Sequence, residues 1–539
     1  MAPPAQIFHA NNVDPASAAA AVKVVSIETA APAHSASLLD ADEFRCHGHQ
    51  VIDFIADYYA SIGTYPVRPS VTPGFLLDKL PDHAPSRPER DAFATALRDV
   101  RDHILQGLTH WQSPRHFAHF PASSSTAGAL GEALAAGINV VPFTWAASPA
   151  ATELEMVVTD WLGKALHLPE TLLFSGGGGG TLLGTSCEAI LCALVAAREQ
   201  KLAEIGSSKG IDDLVVYCSD QTHFALRKAA RIAGIRRDNC REIPTRRDCM
   251  FALSPADLRA AMDADVNAGL VPLFVCATIG TTQTAAVDPV GELSAVAAAR
   301  GAWVHVDAAY AGAALVCPEF RHVTDNAAEG VDSFSMNAHK WLLANTDSCA
   351  LWARRPAVLV AGLGVENEYI LKDAAEEGHD VVDYKDWSVT LTRRFRALKL
   401  WLVLRCHGVE GLRDHVRGHV AMAAAFEAMV RADERFEVVV PRQFSLVCFR
   451  LQPPPPPPEK LGGGEKAANE LNRRLLEEVN ATGSGPYMSS AKVGGIYMLR
   501  CAIGSTLTEE RHVIEAWKVV QDRAADLLGK MEITYGALA

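Results

Sequence analysis

The sequence predicts an α/β fold on a mainly parallel sheet, with a helical N-terminal segment and an α+β C-terminal domain. Three observations lead there. From about residue 125, strand-length apolar runs ("DLVVYCS", "LVPLFVCATI", "AWVHVDAA", "VDSFSM") alternate with helical runs ("GTSCEAILCALVAAREQKLAEI", "HFALRKAARIAG", "VGELSAVAAARG"), as parallel strands joined by crossover helices do. The chain has 539 residues, 49% apolar and 21% charged, enough for a large core and more than one domain. The polar residues that stand out each follow a strand, where such sheets hold their ligands.

Residues 1–39 read as a disordered leader on a cytosolic protein, because "MAPPAQIFHANNVDPASAAAAVKVVSIETAAPAHSASLL" lacks the charged-then-apolar layout of a secretory signal. Residues 40–124 form a helical segment. In "DADEFRCHGHQVIDFIADYYASI", Val51, Ile52, Ile55, Tyr58 and Tyr59 make one apolar stripe. The prolines of "YPVRPSVTPGFLL" then break the helix before "RDAFATALRDVRDHILQGL" resumes it. A few helices without strands bury little surface alone, so this segment is expected to pack on another domain or subunit.

Residues 125–397 are the large α/β domain and 398–539 a small α+β domain. In the latter "FEVVV", "FSLVCFRL" and "GGIYMLRCAI" read as strands, and "TLTEERHVIEAWKVVQDRAADLL" as a helix opened by a capping box from Thr506 to Glu509. "QPPPPPPEKLGGGEK" reads as a stiff then loose surface excursion between strand and helix.

The formal net charge of −13 argues against general affinity for nucleic acid or anionic lipid. No apolar run reaches the length of a membrane span. The 12 cysteines are scattered singly with no C-x-x-C pair, as buried, reduced thiols are, and zinc has no supporting spacing.

Four features bear on chemistry. The glycines of "FSGGGGGTLLGTSCEAIL" lead into a helix whose N-terminus, with Thr185 and Ser186, suits a phosphate; the run matches neither a P-loop nor a dinucleotide fingerprint. Asp307 ends the apolar strand of "AWVHVDAAYAG", where a buried acid needs a positive or proton-bearing partner. His223 opens a helix beyond the strand of "SDQTH". Lys340, in "SFSMNAHKWLLAN", lies between a histidine and an apolar run, where an amine sheds its proton and becomes nucleophilic towards an aldehyde. Each alone has a structural explanation. Together they fit one molecule, pyridoxal phosphate: phosphate on the helix N-terminus, ring nitrogen on Asp307, aldehyde on Lys340 as a Schiff base.

These motifs, together with "SPAATELE", "ATIGTT", "VVDYKDW" and "RRFRALKLW" in the same order from about residue 40 to 530, resemble the group II pyridoxal-phosphate decarboxylases, and among them the plant aromatic L-amino-acid decarboxylases. The resemblance implies a fold-type I, aspartate-aminotransferase-like large domain. It further implies a homodimer with shared active sites, whose N-terminal helices wrap the partner, and pyridoxal 5′-phosphate as cofactor. Carried over by position, Lys340 binds the cofactor, Asp307 pairs with its ring nitrogen, and His223 and Ala309 border its two faces. Thr185, Ser186, Cys187, Thr282 and Asn337 lie around it. Pro121, His223 and His339 border the substrate, and Phe143 and Trp145 form the aromatic pocket.

Two further positions bear on the product and the substrate. "EEGHDVVDYKDW" is polar and reads as a mobile loop, which the resemblance implies closes over the site of the neighbouring subunit. Its Tyr384 matches the tyrosine that donates a proton to Cα; relatives with phenylalanine there make aldehydes. Thr392 stands where tyrosine-using relatives carry serine and tryptophan-using ones glycine. Its hydroxyl and methyl favour a phenol over an indole, so the expectation is L-tyrosine converted to tyramine and CO2, with DOPA or phenylalanine as further substrates. A tryptophan decarboxylase or an aromatic aldehyde synthase are the alternatives on this scaffold. A silent scaffold recruiting SH3- or WW-like partners through its polyproline segment is the alternative of another class. A nicotinamide-dependent dehydrogenase leaves Lys340 unexplained.

Overall fold

The computed structural model describes residues 38–536 apart from 88, 325–329, 366–380, 454–463 and 484. Nearly all of the leader, the proline excursion and the first part of the expected lid before Tyr384 thus lie outside the described residues. The chain divides into two compact units at Tyr59/Ala60. In the first, the predicted helix forms as Ala41–Ser61, and Ile52 and Ile55 on its apolar stripe remain exposed.

The second unit holds two sheets. In chain order the strands are β1 (His116–Phe117), β2 (Gly179–Leu183), β3 (Leu214–Ser219), β4 (Cys240–Ile243), β5 (Val271–Thr278), β6 (Trp303–Asp307), β7 (Ser333–Asn337), β8 (Cys349–Ala353), β9 (Phe436–Val438), β10 (Leu446–Leu451), β11 (Tyr487–Val493) and β12 (Ile496–Ala502). The large sheet runs β2-β8-β7-β6-β5-β3-β4. Its β7-β6-β5-β3-β4 portion is parallel throughout, while β8 is antiparallel to both neighbours. Burial explains the apolar strands: β3, β6, β7 and β8 are buried at every residue, as in sheets covered on both faces. The predicted crossover helices appear as Ser186–Ile205, Ala225–Ile232 and Val290–Ala298.

The small sheet, β1-β11-β12-β10-β9, belongs to the C-terminal region except for β1, which pairs in parallel with β11. The chain passes from 397 to 398 inside one helix, Arg396–Ala432, which turns at Gly408 where φ is +63°.

One expectation is corrected, and the glycine run is resolved in part as a strand. Gly179 and Gly180 open β2, which pairs with β8. Small residues are needed there because a Cβ on Gly180 would lie 2.7 Å from Thr159 Cβ and 2.9 Å from the Trp352 ring. Gly184 and the helix cap Thr185 then lead from β2 into the helix Ser186–Ile205. The capping box of Thr506 and Glu509 does not form. The helix starts at Glu510, and the Thr506 hydroxyl donates instead to Ser124 O at 2.9 Å, tying the C-terminal region to the segment before the large domain.

Candidate active site

The carboxyl ends of β5, β6 and β7 converge on a cavity of about 220 Å³ bordered by Thr278, Asp307, Asn337 and Lys340. Asp307 is the last residue of β6 and only 3% exposed. Its Oδ1 accepts the Ala309 amide at 3.1 Å, which leaves Oδ2 to face a further donor. Lys340 sits in the single helical turn Ala338–Trp341 that follows β7. Protein encloses its ammonium everywhere except towards the cavity. That desolvation lowers its pKa, with the Asp307 carboxylate opposing.

His223, after β3, borders the same space. Its Nδ1 accepts the Ala225 amide at 3.2 Å, and burial lowers its pKa, so the ring is a neutral surface near pH 7. At the opposite wall begins the helix Ser186–Ile205. Thr185 caps it by accepting the Glu188 amide at 3.3 Å, and Ser186 Oγ donates to Asn337 Oδ1 at 2.8 Å. A helix N-terminus with free amides is an anion site. Cys187, Thr282 and Ala309 complete the predicted cofactor set, and all of them line this cavity.

Other predicted residues fall elsewhere. Pro121 is buried against Gly504 behind the wall, while its neighbour Phe120 lines the cavity. His339 is turned away: its Nδ1 lies 2.9 Å from Ser348 O, and burial pushes its pKa down to about 4. Phe143, Trp145, Tyr384 and Thr392 do not border the cavity of their own chain. They gather instead around the 383–393 segment. Lys385 N donates to Phe143 O at 2.8 Å, Trp145 N to Asp383 Oδ1 at 2.8 Å, and Thr392 is exposed beside buried Arg393.

Tyr384 is fully buried, its hydroxyl donates to Gly180 O at 3.0 Å, and Trp387 packs edge-on against it. In this position the hydroxyl lies outside the cavity of its own chain. Residues that sequence reasoning missed are Phe120, Thr278, Gly280 and Tyr310. Thr278 carried a signal of its own, since it ends the β5 run one position before the "IGTT" turn. Its Oγ1 is buried without a hydrogen-bond partner.

The donor set fits pyridoxal phosphate. The enclosed amine, the acid with a spare oxygen, the helix N-terminus and the unpartnered Thr278 hydroxyl are the groups that an aldehyde bearing a ring nitrogen, a hydroxyl and a phosphate would satisfy. No cluster of histidine, cysteine and acidic groups suited to a metal occurs among the described residues.

Residues 73–452 match the family described as the pyridoxal-dependent decarboxylase conserved domain, and the chain belongs to that family. It is a pyridoxal-phosphate-dependent carboxy-lyase of the plant group II type. It is 75% identical over 533 residues to the tyrosine decarboxylase of Oryza sativa subsp. japonica, covering 98% of this chain and 100% of that one. Among solved structures it resembles Oryza sativa TDC with PLP and tryptamine, with a TM-score of 0.87 at 46% identity, covering 91% of this chain and 99% of that one. It also resembles the 4-hydroxyphenylacetaldehyde synthase of Rhodiola rosea, with a TM-score of 0.83 at 49% identity, covering 91% and 99%.

Proposed function

We propose that the chain decarboxylates aromatic L-amino acids, with L-tyrosine preferred and tyramine and CO2 as products, as a cytoplasmic homodimer. The observation that carries the substrate class is the end-to-end identity to a rice tyrosine decarboxylase over a cavity that presents an amine, an acid and an aromatic wall.

Lys340 would hold the cofactor's carbonyl carbon, Asp307 Oδ2 its ring nitrogen, and the 186–187 amides with Thr185, Thr282 and Asn337 its phosphate end. His223 and Ala309 would border the ring. When bound, the cofactor supplies an electron sink for the pair released as the substrate's carboxylate departs. The chain does the rest. Burial keeps a fraction of Lys340 unprotonated and nucleophilic. Asp307 would hold a proton on the cofactor's ring nitrogen, and the apolar enclosure would exclude water that screens that charge. Phe120 and Tyr310, stacked at 3.6 Å, offer an aromatic flank to an aromatic side chain.

The dimer reading rests on surface chemistry. On the helix Thr126–Ile138, Leu130, Leu134 and Ile138 recur one turn apart and are 49%, 51% and 56% exposed. Val389 and Leu391, beside Thr392, are each 54% exposed. Apolar stripes of this kind mark surfaces that another chain covers. Phe143, Trp145 and Thr392 would then serve the partner's cavity rather than their own. For the described residues, no helix is long and apolar enough to cross a membrane.

A second reading is an aldehyde synthase. The buried position of Tyr384 favours weighing it, because amine formation was tied to that hydroxyl. Purified holoenzyme given tyrosine, tryptophan, phenylalanine and DOPA separates the two. Tyramine without stoichiometric ammonia and hydrogen peroxide supports the decarboxylase, and their release with the aldehyde defeats it.

A further inference from the structure

Trp341, the residue after the cofactor lysine, is wholly buried, and its indole Nε1 donates to His419 Nδ1 at 2.9 Å. An indole can only donate, so Nδ1 must be the bare acceptor and the imidazole proton sits on Nε2. That proton faces Ser505 O at 3.2 Å. Burial holds the His419 pKa down at about 4, so this tautomer persists through the neutral range.

The contact continues into the cavity wall. The Trp341 ring stacks on Tyr310 at 5.0 Å and 15°, and Tyr310 stacks on Phe120 at 3.6 Å and 9°. Tyr310 is fixed at its far end by Ser445 Oγ, 2.7 Å from its hydroxyl. Across the same turn, Lys340 O accepts the Ser123 amide at 3.1 Å. His419, Ser445 and Ser505 all belong to the C-terminal region, and none borders the cavity. The proposed chemistry uses neither Trp341 nor His419. A buried indole–imidazole pair is also a costly way to fill space that apolar side chains would fill without a polar partner to satisfy. What the pair does supply is direction.

We propose that Trp341 and His419 are a positioning pair: by hydrogen bond and stacking they register the C-terminal region against Lys340 and the Phe120–Tyr310 wall, and so set the aim of the lysine amine. This rests on Lys340 being the cofactor lysine. It predicts a defect in the chemical step rather than in substrate affinity, because Trp341→Phe keeps a ring stacked on the Tyr310–Phe120 wall while the adjacent lysine loses its anchor to His419.

The test uses the Trp341→Phe, His419→Leu and His419→Asn holoenzymes, measuring kcat and KM for tyrosine, the visible circular dichroism of the bound cofactor, and Tm. Trp341→Phe and His419→Leu should lower kcat by about tenfold to a hundredfold with KM within about threefold, and should alter the visible dichroism. His419→Asn keeps an acceptor near the Nδ1 position and should recover most of kcat and the native signal. Unchanged kcat and dichroism in Trp341→Phe, whatever its Tm, would overturn the proposal. So would equal losses in the leucine and asparagine variants. Should His419→Leu fail to fold, Trp341→Phe against His419→Asn decides alone. Failure of the cofactor assignment is visible separately, as a wild-type chromophore that survives Lys340→Ala.

Discussion

Arg393 forks onto Glu155 out of reach of solvent: Nη2 lies 2.6 Å from Oε1 and Nη1 3.2 Å from Oε2, with side chains 1% and 2% exposed. The pair links the helix Pro149–Ala165 to the segment that carries Tyr384 and Thr392, and the Arg393 guanidinium also lies 4.6 Å over the Tyr384 ring. Glu155 Oε1 further accepts the Leu182 amide at 2.7 Å. Removing one ion leaves the other buried and unpaired. Arg393→Met should therefore cost about 3–5 kcal/mol of stability, read as the denaturation midpoint, and should loosen the 383–392 segment to proteolysis. A loss below about 1 kcal/mol would show that Glu155 is compensated elsewhere.

Lys340→Ala removes the enclosed amine that the cavity is arranged around. The variant should fold, bind pyridoxal phosphate weakly, lose the visible band of the covalently held cofactor and show no turnover. Retained turnover would be fatal to the assignment.

Tyr384→Phe tests whether this tyrosine leaves its packed position during turnover. The hydroxyl it deletes leaves Gly180 O without its donor inside the core, so stability should fall by about 1–3 kcal/mol. Products should shift from amine towards aldehyde, as the hydroxyl leaves Gly180 O during turnover to serve the partner's cavity. An unchanged ratio would show that Tyr384 stays packed.

The proposed sharing of active sites between two copies predicts complementation. Lys340→Ala and Phe143→Ala should each be poorly active alone, because one lacks the amine in its own cavity and the other lacks the ring offered to its partner's. Refolding the two together should restore activity, since half of randomly formed dimers are mixed and each mixed dimer carries one intact site. Absence of recovery, with mixed dimers demonstrated by affinity tags, would place Phe143 in its own chain's cavity rather than its partner's.

Acid should destabilise the fold well above the carboxylate range. Burial pushes His116, His339 and His419 down to about 4 and His305 to about 3. Their unfolded-state pKa is near 6.5, so below it the unfolded chain binds protons that the native one refuses. Stability from these groups is whole above about pH 6.5 and is lost as pH falls towards about 4. Asp288, raised to about 6 by burial, has the opposite sign: its contribution is present below about 3.8 and lost as pH rises through 6, which offsets part of the slope. His305→Gln, with hydroxyls of Ser333 and Ser335 at 2.8 and 3.1 Å still to bond, should flatten the dependence of Tm on pH between 6.5 and 4. An unchanged slope would show that His305 is protonated in the fold.

The large domain was legible because each of its strands and crossover helices is announced within its own few residues. "AWVHVDAA" became β6, and "GTSCEAIL" became a capped helix N-terminus, from local apolar pattern and capping chemistry alone. The cofactor set was legible for the same reason, since every member sits at the end of such an element. β2 was not, because it opens on Gly179 and Gly180 at the end of a five-glycine run that carries no strand propensity; the narrow gap beside Thr159 and Trp352 requires a glycine at 180. The capping box at Thr506 failed because a hydroxyl with two satisfactory partners took the tertiary one, Ser124 O.

By itself, the order of residues determined an α/β sheet, an amine and an acid at adjacent strand ends, and hence the class of cofactor. Only the tertiary structure decided which aromatic residues face that cofactor. It put Phe120 and Tyr310 in the wall, and it packed Tyr384 outside its own chain's cavity through a hydrogen bond to a carbonyl 204 positions away. The physical reason is range. Backbone periodicity and helix ends are set by neighbours in the chain, whereas the burial of a side chain is set by whichever surface folds over it.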